Sequence, residues 1–237
     1  MEIFKKFIVS TSQKKVDPIP VLDWPDEWLE VDFKLYPRFN RRELKEYKPS
    51  NILEKVLMSR ASERNIGFGN LDKDKLSKIL RFSAGLNNYN QQVGASKRSY
   101  PSAGARYPVE VYIINLDIKG LDKGLYHYSV LTHELEELEM NDFREQVANF
   151  TGESWTAKAK AIIAMSVVPE RVVGKYGARS FRYALFECGH LMQNILLLSK
   201  YYDVSSCPIG GFVDKDVNRL LRLDRTNEKA VYMAVLE

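Results

Sequence analysis

Cysteine is scarce in this sequence, since Cys188 and Cys207 are the only two among its 237 residues. Two cysteines without a CxxC spacing cannot form a disulfide framework, and they fit a reducing compartment better than secretion. Long apolar runs are also missing: the stretch from Ala161 to Pro169 is about half the length of a membrane span. The start, MEIFKKFIVS, has only a short apolar run and lacks the longer apolar region and the small-residue cleavage site of a signal peptide. We therefore expect a cytoplasmic protein without a membrane segment.

Several classes of site are disfavoured by what is missing. The three histidines, His127, His133 and His190, do not stand near other histidines or cysteines at metal-ligand spacing, so we expect no metal. The sequence has no GxSxG, P-loop or strand-following GxGxxG motif, which argues against hydrolase, NTPase and Rossmann functions. The formal charge of +4, from 35 basic and 31 acidic residues, is too small and too dispersed to indicate a nucleic-acid partner.

Residues 1–50 differ in composition from the rest of the chain. They contain five of the nine prolines and two of the three tryptophans, Trp24 and Trp28. Because proline interrupts both helices and strand ladders, this composition predicts an extended N-terminal arm. The arm would pack its aromatic side chains onto its own domain or onto a partner subunit. Residues 51–237 are predicted to form the main domain.

The main domain shows regular helix and strand patterns. The pattern predicts helices at 52–60 with Ser50 as N-cap, after Asp72, at 155–160, at 181–202, and from Asp214 as N-cap to 221. It predicts strands at 109–115, 125–128, 133–138, 161–168 and 230–236, and a polar loop at 87–92. This order favours an α+β domain in which helices pack around a central mixed or antiparallel sheet.

Two arginines and a hydroxyl lie close together at the end of the first predicted helix of the main domain. Arg60, Ser62 and Arg64 could form a site for a phosphate, because arginine donates paired hydrogen bonds to such a group. The alternative is a pair of cations that interacts favourably with the carboxyl end of the helix.

Three further segments could approach a ligand. The loop from Pro101 to Pro108 has small residues that would let a planar ligand come close, and Pro208 to Phe212 has paired glycines that can expose backbone amides. Lys175 and Tyr176, in a predicted loop before the long helix, are proton-transfer groups when their surroundings shift the pKa. Alternatively, these segments are ordinary turns and surface residues.

Taken in order, these segments resemble a known family. The sequence contains PSAGARYPVEVY, then GLYHY with a following H-x-L, then KYGARSFRYALFECGHLMQNILLLSKYYDV, and finally PIGGF. In this order they resemble the nitroreductase superfamily, and within it the SagB/ThcOx-type dehydrogenases, from about Leu57 to Leu236. The resemblance implies the nitroreductase-like fold and a homodimer with FMN sites at the subunit interface.

The resemblance also assigns roles to particular residues. It implies that the flavin phosphate and ribityl chain are held by Arg60, Ser62 and Arg64. It implies that the loop that approaches the flavin from the other subunit is formed by Pro101, Ser102, Ala103 and Gly104. It also implies that the turn at the flavin N5 region is formed by Pro208, Ile209, Gly210 and Gly211. Lys175 and Tyr176 resemble the Lys-Tyr pair associated with azoline oxidation. Lysine could be the base and tyrosine an orienting donor, or the roles could be divided otherwise.

The implied reaction converts a thiazoline or oxazoline ring of a modified peptide to the aromatic azole, in association with a cyclodehydratase. Two alternatives stay open. One is a generic NAD(P)H-dependent nitroreductase or quinone reductase, against which the Lys175-Tyr176 stretch argues. The other is a flavin-bound scaffold subunit of a peptide-modifying complex, with the N-terminal arm as its docking element.

Overall fold

The structure, a computed structural model, describes residues 2–16, 25, 33–67, 69–90 and 95–237. The helices of these residues are α1 Glu2–Thr11, α2 Ile52–Ser59, α3 Lys73–Ala84, α4 Arg144–Thr151, α5 Glu170–Tyr176, α6 Ser180–Tyr201 and α7 Asp214–Leu220. The strands are β1 Leu86–Asn90, β2 Ala95–Arg98, β3 Val109–Asn115, β4 Gly124–Ser129, β5 Glu134–Glu139, β6 Ala161–Val167, β7 Ser206–Ile209 and β8 Lys229–Leu236. Short 3-10 helices span Ala103–Ala105, Ser154–Lys158 and Gly177–Arg179.

The last six strands form one sheet in the order β5-β4-β3-β6-β8-β7, and every neighbouring pair is antiparallel. Strands β1 and β2 form a separate antiparallel hairpin. The β-branched run at Val109–Asn115 becomes a central strand of the larger sheet, as its composition predicts. The expected α+β class is therefore confirmed, and the sheet is antiparallel rather than mixed.

The larger sheet separates two hydrophobic cores. Because side chains alternate along a strand, β3 contributes Val111 and Ile113 to one core and Ile114 to the other. Helices α3 and α6 cover the first core, while α4 and α7 cover the second, with Phe150 and Val217 as buried contacts. The long helix α6 thus lies on one face of the sheet along with α3. Within the described residues no helix is both long and apolar enough to span a bilayer.

Strand register brings three of the predicted site segments to one end of the sheet. Val109 at the start of β3 pairs with Val167 at the end of β6, and Val167 pairs with Lys229 at the start of β8. Strand β7 runs antiparallel to β8 and ends at Ile209, so the chain after it continues towards the same end. The loop before β3, the helix after β6 and the glycine turn after β7 therefore emerge together.

The N-terminal residues differ from the predicted extended arm. Residues Glu2–Thr11 form helix α1, which contains no proline because the first proline of the sequence is Pro18. Its Phe4 and Phe7 rings pack on Phe181 of α6 at centroid distances of 5.1 and 4.0 Å. This part of the arm therefore packs against its own domain. Trp24 and Trp28, the aromatic residues that suggested packing, lie outside the described residues.

Helix starts were partly mispredicted. Asp72 caps α3 as expected, accepting from the Lys75 backbone N–H at 2.8 Å. The N-cap of α2 is Asn51 rather than Ser50, because the Glu54 carboxylate completes a capping box with Asn51. Asp214 is the first residue of α7 rather than its N-cap.

The predicted polar loop at 87–92 was also wrong where it is described. Leu86–Asn90 forms strand β1, which pairs with Ala95–Arg98 despite its polar composition. Backbone pairing across the hairpin therefore determines the local structure here, whereas side-chain polarity suggested a loop.

Candidate functional site

Gly104 brings the 101–104 loop next to the lysine-tyrosine pair. Its φ of 60° lies in the left-handed region. A Cβ at this position would lie 2.5 Å from the Tyr176 Oη and 2.7 Å from the Lys175 Nζ, so only a residue without a side chain allows this contact. Lys175 and Tyr176 themselves end helix α5, which corrects the prediction that they lie in a loop.

Helix α6 supports this contact from behind. The Tyr183 ring meets the Tyr176 ring edge-on at a centroid distance of 5.0 Å, which fixes the orientation of Tyr176. The Lys175 Nζ lies 5.4 Å from the centre of the same Tyr176 ring. Glu187 lies one turn further along α6 and is only 2% exposed. We call Ser102, Gly104, Lys175, Tyr176 and Glu187 the loop cluster.

Glu187 is a functional candidate that the sequence did not suggest. Burial raises the pKa of its carboxyl to about 7, although hydrogen bonds with the Ser102 side chain and the Val109 backbone and the charges of Arg98 and Arg171 act in the opposite direction. Its Oε1 has no hydrogen-bond partner among the described residues. The available signal was its position in the helical repeat, where an acidic residue follows the buried face of α6.

An ion network extends from the loop cluster to the protein surface. The Arg171 guanidinium donates to the Tyr107 carbonyl at 2.9 Å and pairs with the Glu110 carboxylate. Glu110 also contacts the His127 Nε2 at 3.0 Å, and the His127 Nδ1 contacts Glu136 at 2.7 Å. The hydrogen bond to Glu110, with that to Glu136, raises the pKa of His127. His127, for which the sequence indicated no metal-binding role, is thus part of a charge network.

Residues 60–64, which we call the arginine segment, run beside the edge strand β7. The Glu63 backbone N–H donates to the Ser206 carbonyl at 3.0 Å, and its carboxylate accepts from the Ser205 hydroxyl at 2.6 Å. These contacts fix the backbone of the segment. Arg64 is exposed and lies near the Cys207 thiol, whereas Arg60 is half-buried and forms no ion pair with the carboxylates of the described chain.

The glycine turn follows β7 directly. A Cβ at Gly210 would meet no atom within 4 Å, while one at Gly211 would lie 3.4 Å from the Gln13 Oε1. A cavity of about 290 Å³ lies between α1 and this turn, and its lining includes Phe7, Phe181 and Gly210. The turn is therefore open on the Gly210 side and covered by the N-terminal residues near Gly211.

The structure brings some predicted site residues together and leaves others apart. Ser102 and Gly104 meet Lys175, Tyr176 and Glu187 in the loop cluster, and Pro101 and Ala103 belong to the same loop. Arg60, Ser62 and Arg64 lie along β7, whose last residues are Pro208 and Ile209 and which leads into Gly210 and Gly211. Within the described part of one chain, no hydrogen bond or ion pair joins the loop cluster to the arginine segment.

Comparison with known proteins agrees with this architecture. The Nitroreductase family matches residues 57–236. A nitroreductase-family protein of Methanocaldococcus jannaschii is 28% identical over 172 residues, which cover 72% of this chain and 84% of that protein. The microcin B17-processing protein McbC of Escherichia coli is 28% identical over 166 residues, covering 67% of this chain. The matched region spans 61% of McbC.

Solved structures show the same fold. A chain of the E. coli microcin synthetase McbBCD complex, solved with truncated pro-MccB17 bound, matches with a TM-score of 0.75 and 20% identity, over 99% of this chain and 92% of that one. A nitroreductase of Desulfovibrio desulfuricans in complex with FMN matches with a TM-score of 0.55 and 15% identity, over 79% and 86% of the two chains. The nitroreductase-like fold expected from the sequence is confirmed.

Proposed function

The chain belongs to the Nitroreductase family and is an oxidoreductase, and we propose that it is an FMN-dependent dehydrogenase of peptide azolines that acts as a homodimer. The observation that carries this proposal is the contact of Gly104 with Lys175 and Tyr176. A glycine that admits two proton-transfer groups to one point beside a loop of small residues is suited to a site where a ring must lose a proton.

The residues of the arginine segment fit an FMN phosphate. The guanidinium of Arg60 has no carboxylate partner in the described chain, and Arg64 is exposed in the same segment, so both can donate to an anion. The neighbouring Ser62 is exposed and can add a hydroxyl donor. Gly210, with open space at its Cα, lets the backbone approach a flat ring. FMN, when bound, would supply the acceptor for the hydride.

The loop cluster would handle the proton. The Lys175 Nζ and the Tyr176 Oη both point to the space next to Gly104, so a ring held there would have two candidate proton acceptors within reach. Tyr176 is oriented by Tyr183, whereas Lys175 is exposed and can move with the substrate. The lysine therefore suits the role of the base, and the tyrosine suits that of the orienting group.

The peptide substrate is supported by the relatives. McbC is a microcin-processing protein, and the related chain in the solved complex assembles with other subunits around a pro-peptide. The fold match covers 99% of this chain, although the sequence match spans less than two thirds of McbC. We therefore infer that this chain acts on a modified peptide together with a cyclodehydratase.

The homodimer is supported by unpaired apolar surface. Helix α2 has no buried residue, and its Ile52, Leu53 and Met58 side chains are 62%, 60% and 76% exposed. Residues 33–47 add exposed aromatic and aliphatic side chains, among them Phe33 and Leu44. Large exposed apolar side chains in such number indicate an interaction site. A second copy that covers it could also bring its loop cluster to the arginine segment.

The first experiment is an absorbance spectrum of the purified protein, with the released chromophore identified by mass. We expect oxidised-flavin bands and the mass of FMN. A protein that is colourless and cannot be loaded with FMN would exclude the proposal.

Substrate classes can then be separated with the loaded protein. Oxidation of a thiazoline peptide without NAD(P)H supports the azoline reaction. Rapid flavin reduction by NADPH with turnover of nitroaromatics, and no change in the peptide, would instead assign a generic reductase.

A further inference from the structure

The loop before β3 has a backbone conformation that residues with side chains seldom adopt. The φ of Tyr107 is 46° and that of Ala105 is 52°, so both residues lie in the left-handed region, as Gly104 does. Such conformations persist only where the surrounding structure holds them in place. The loop that contains Gly104 therefore needs contacts that fix its backbone.

Tyr107 receives such contacts at each of its polar atoms. Its backbone N–H donates to the Ser102 Oγ at 2.8 Å, and its hydroxyl accepts from the Arg98 backbone N–H at 3.1 Å. Its carbonyl accepts from the Arg171 Nη1 at 2.9 Å. Ser102 belongs to the loop itself and Arg98 to the preceding strand β2. Of these three contacts, the one with Arg171 connects the loop to helix α5.

Arg171 lies on the helix that ends with the lysine-tyrosine pair. It precedes Lys175 by four residues in α5, so the two side chains leave the same face of the helix. Its hydrogen bond to the Tyr107 carbonyl therefore joins the two elements that meet at Gly104. A Cβ on Gly104 would lie 2.7 Å from the Lys175 Nζ, so a shift of the loop relative to α5 would change this contact directly.

Glu110 fixes the guanidinium of Arg171. The Arg171 Nη1 that donates to the Tyr107 carbonyl also pairs with the Glu110 carboxylate of β3. This nitrogen has two hydrogens, so it can donate to both acceptors at once. The Glu110 side chain is only 12% exposed, and a carboxylate in such a place needs partners, of which the His127 Nε2 at 3.0 Å is the second. The guanidinium is thereby held against the sheet.

The carboxyl end of the loop is held independently of Arg171. The Val168 backbone N–H donates to the Pro108 carbonyl at 2.8 Å, and β3 pairs with β6 from its first residue onwards. The Arg171 side chain is 39% exposed, so replacing it by an apolar chain of similar length leaves no buried cavity. We therefore expect the loss of Arg171 to release the loop without unfolding the domain.

We propose that Arg171 is a positioning residue, which holds Gly104 against the lysine-tyrosine pair. It does so by joining the Tyr107 carbonyl to α5 while Glu110 fixes its guanidinium. Arg171 acts on the reaction only through the placement of Lys175. The effect on azoline oxidation rests on the proposed function, whereas the effect on the loop does not.

The loop effect can be measured without cofactor or substrate. A nuclear Overhauser cross-peak between the Gly104 Hα and the ring protons of Tyr176 reports the distance between the loop and α5. We expect this cross-peak in the wild type and its loss in Arg171→Met, in which the loop is no longer bound to α5. Arg171→Lys keeps a charged donor and should restore part of it. Arg222→Met, which loses a surface pair with Glu139, should resemble the wild type.

An unchanged cross-peak in a folded Arg171→Met protein would overturn the proposal. If Arg171→Met does not fold, Glu110→Gln provides the test. A hydrogen bond to a neutral amide is about half as strong as one to an ionised carboxylate, so the guanidinium would be held less firmly. The cross-peak should then weaken, and wild-type intensity in Glu110→Gln would overturn the proposal as well.

A kinetic readout connects the loop to the reaction. In the FMN-loaded protein, Arg171→Met should lower kcat for azoline oxidation by about 10- to 100-fold, since a small misplacement of reacting groups costs up to about that factor. KM and FMN content should stay close to the wild-type values, and Arg171→Lys should recover part of kcat. Unchanged kcat in a variant that has lost the cross-peak would overturn the positioning role.

The two readouts separate this inference from the proposed function. A wild-type protein without azoline oxidation, in which Arg171→Met still abolishes the cross-peak, would support the tie and contradict the proposed substrate. Azoline oxidation by the wild type, with the cross-peak and kcat both unchanged in Arg171→Met, would support the substrate and overturn the role of Arg171.

Discussion

The loop cluster and the arginine segment differ in how they are held. In the loop cluster, Gly104, Tyr176 and Glu187 are fixed by contacts between segments that are distant in sequence, and Glu187 is almost fully buried. In the arginine segment only the backbone and Glu63 are fixed, while the Arg64 side chain is exposed. The loop cluster is ordered without a ligand, whereas the side chains of the arginine segment would become ordered when they bind one.

This difference suggests a division of labour. A group that orients a substrate for proton transfer must be held in a defined geometry, which agrees with the packing of Tyr176 against Tyr183 and Gly104. Groups that bind an anion act mainly through charge and tolerate side-chain motion until the anion is bound. We therefore expect changes in the loop cluster to affect chemistry with little effect on cofactor retention, and changes in the arginine segment to do the opposite.

The largest effect should follow removal of the lysine. Lys175→Ala is expected to lower the rate of azoline oxidation by about 100-fold or more, since a positioned acid or base contributes about that factor. FMN content should stay unchanged, as measured by absorbance after gel filtration. Lys215→Ala, at an exposed position of α7, is the matched control and should keep both properties. Joint loss of flavin and activity in Lys175→Ala would make this residue a cofactor ligand.

Removal of an arginine should reverse this pattern. Arg60→Ala is expected to weaken FMN binding about 10- to 100-fold, because one charge-assisted hydrogen bond contributes about 1.5–3 kcal/mol. Fluorescence titration of the flavin-free protein measures the dissociation constant. At saturating FMN the oxidation rate should recover. Arg222→Ala, which loses only a surface pair with Glu139, should bind FMN normally, and equal affinity in Arg60→Ala would remove Arg60 from the site.

Adding a side chain at Gly104 tests how much the reaction depends on the close approach of this residue to Lys175 and Tyr176. Gly104→Ala places a methyl group within 2.7 Å of the Lys175 Nζ and also of the Tyr176 Oη, so these flexible ends must move apart. We expect about a 10-fold slower oxidation, with a stability loss of about 1–2 kcal/mol from the positive φ. Gly189→Ala in α6, whose new Cβ would meet nothing within 4 Å, should be neutral or stabilising. Activity at the wild-type level in Gly104→Ala would show that the close contact is dispensable.

The smallest effect concerns pH and stability. The pKa of His127 is raised, first by the hydrogen bond to Glu110, so protonated His127 stabilises the fold. This contribution is fully present below the ordinary histidine pKa of about 6.5 and is lost as pH rises through the raised value. His127→Gln should therefore cost about 1 kcal/mol in urea unfolding at acidic pH and less at alkaline pH. A cost that grows with pH would contradict the charged network.

The sequence was sufficient for the elements with strong patterns. Strand β3 was predicted with its observed bounds because its composition is β-branched, and α6 was predicted within one residue at each end because its helical repeat is unbroken. Lys175 was predicted in a loop because Gly174 and Gly177 flank the pair, although α5 continues through Gly174. Here packing of the short helix outweighed the weak helix propensity of glycine.

The candidate site was predictable only in its parts. The loop, the arginines and the lysine-tyrosine pair carry recognisable motifs, but their mutual contacts depend on the fold. Glu187 was missed because an acidic residue in a helix usually faces water, and its partner Ser102 is distant in sequence. The helical form of residues 2–11 was missed because the prolines that suggested an extended arm all lie further along the chain.

The most direct test of the account mixes two variants, each of which should lose FMN during gel filtration without added cofactor. Arg60→Ala binds FMN too weakly to retain it under these conditions, and the large indole of Gly104→Trp, unlike the smaller changes above, would fill the space that the loop of small residues leaves for the flavin. If one flavin site takes its arginine segment from one copy and its loop cluster from the other, each mixed dimer has one intact site.

Unfolding and refolding the two variants together in equal amounts should then restore flavin absorbance to about a quarter of the wild-type level, since half of the dimers are mixed. Each variant refolded alone should be colourless after gel filtration. Absorbance that does not rise above that of the separate variants, although wild-type protein refolded in parallel recovers its flavin, would contradict the shared site.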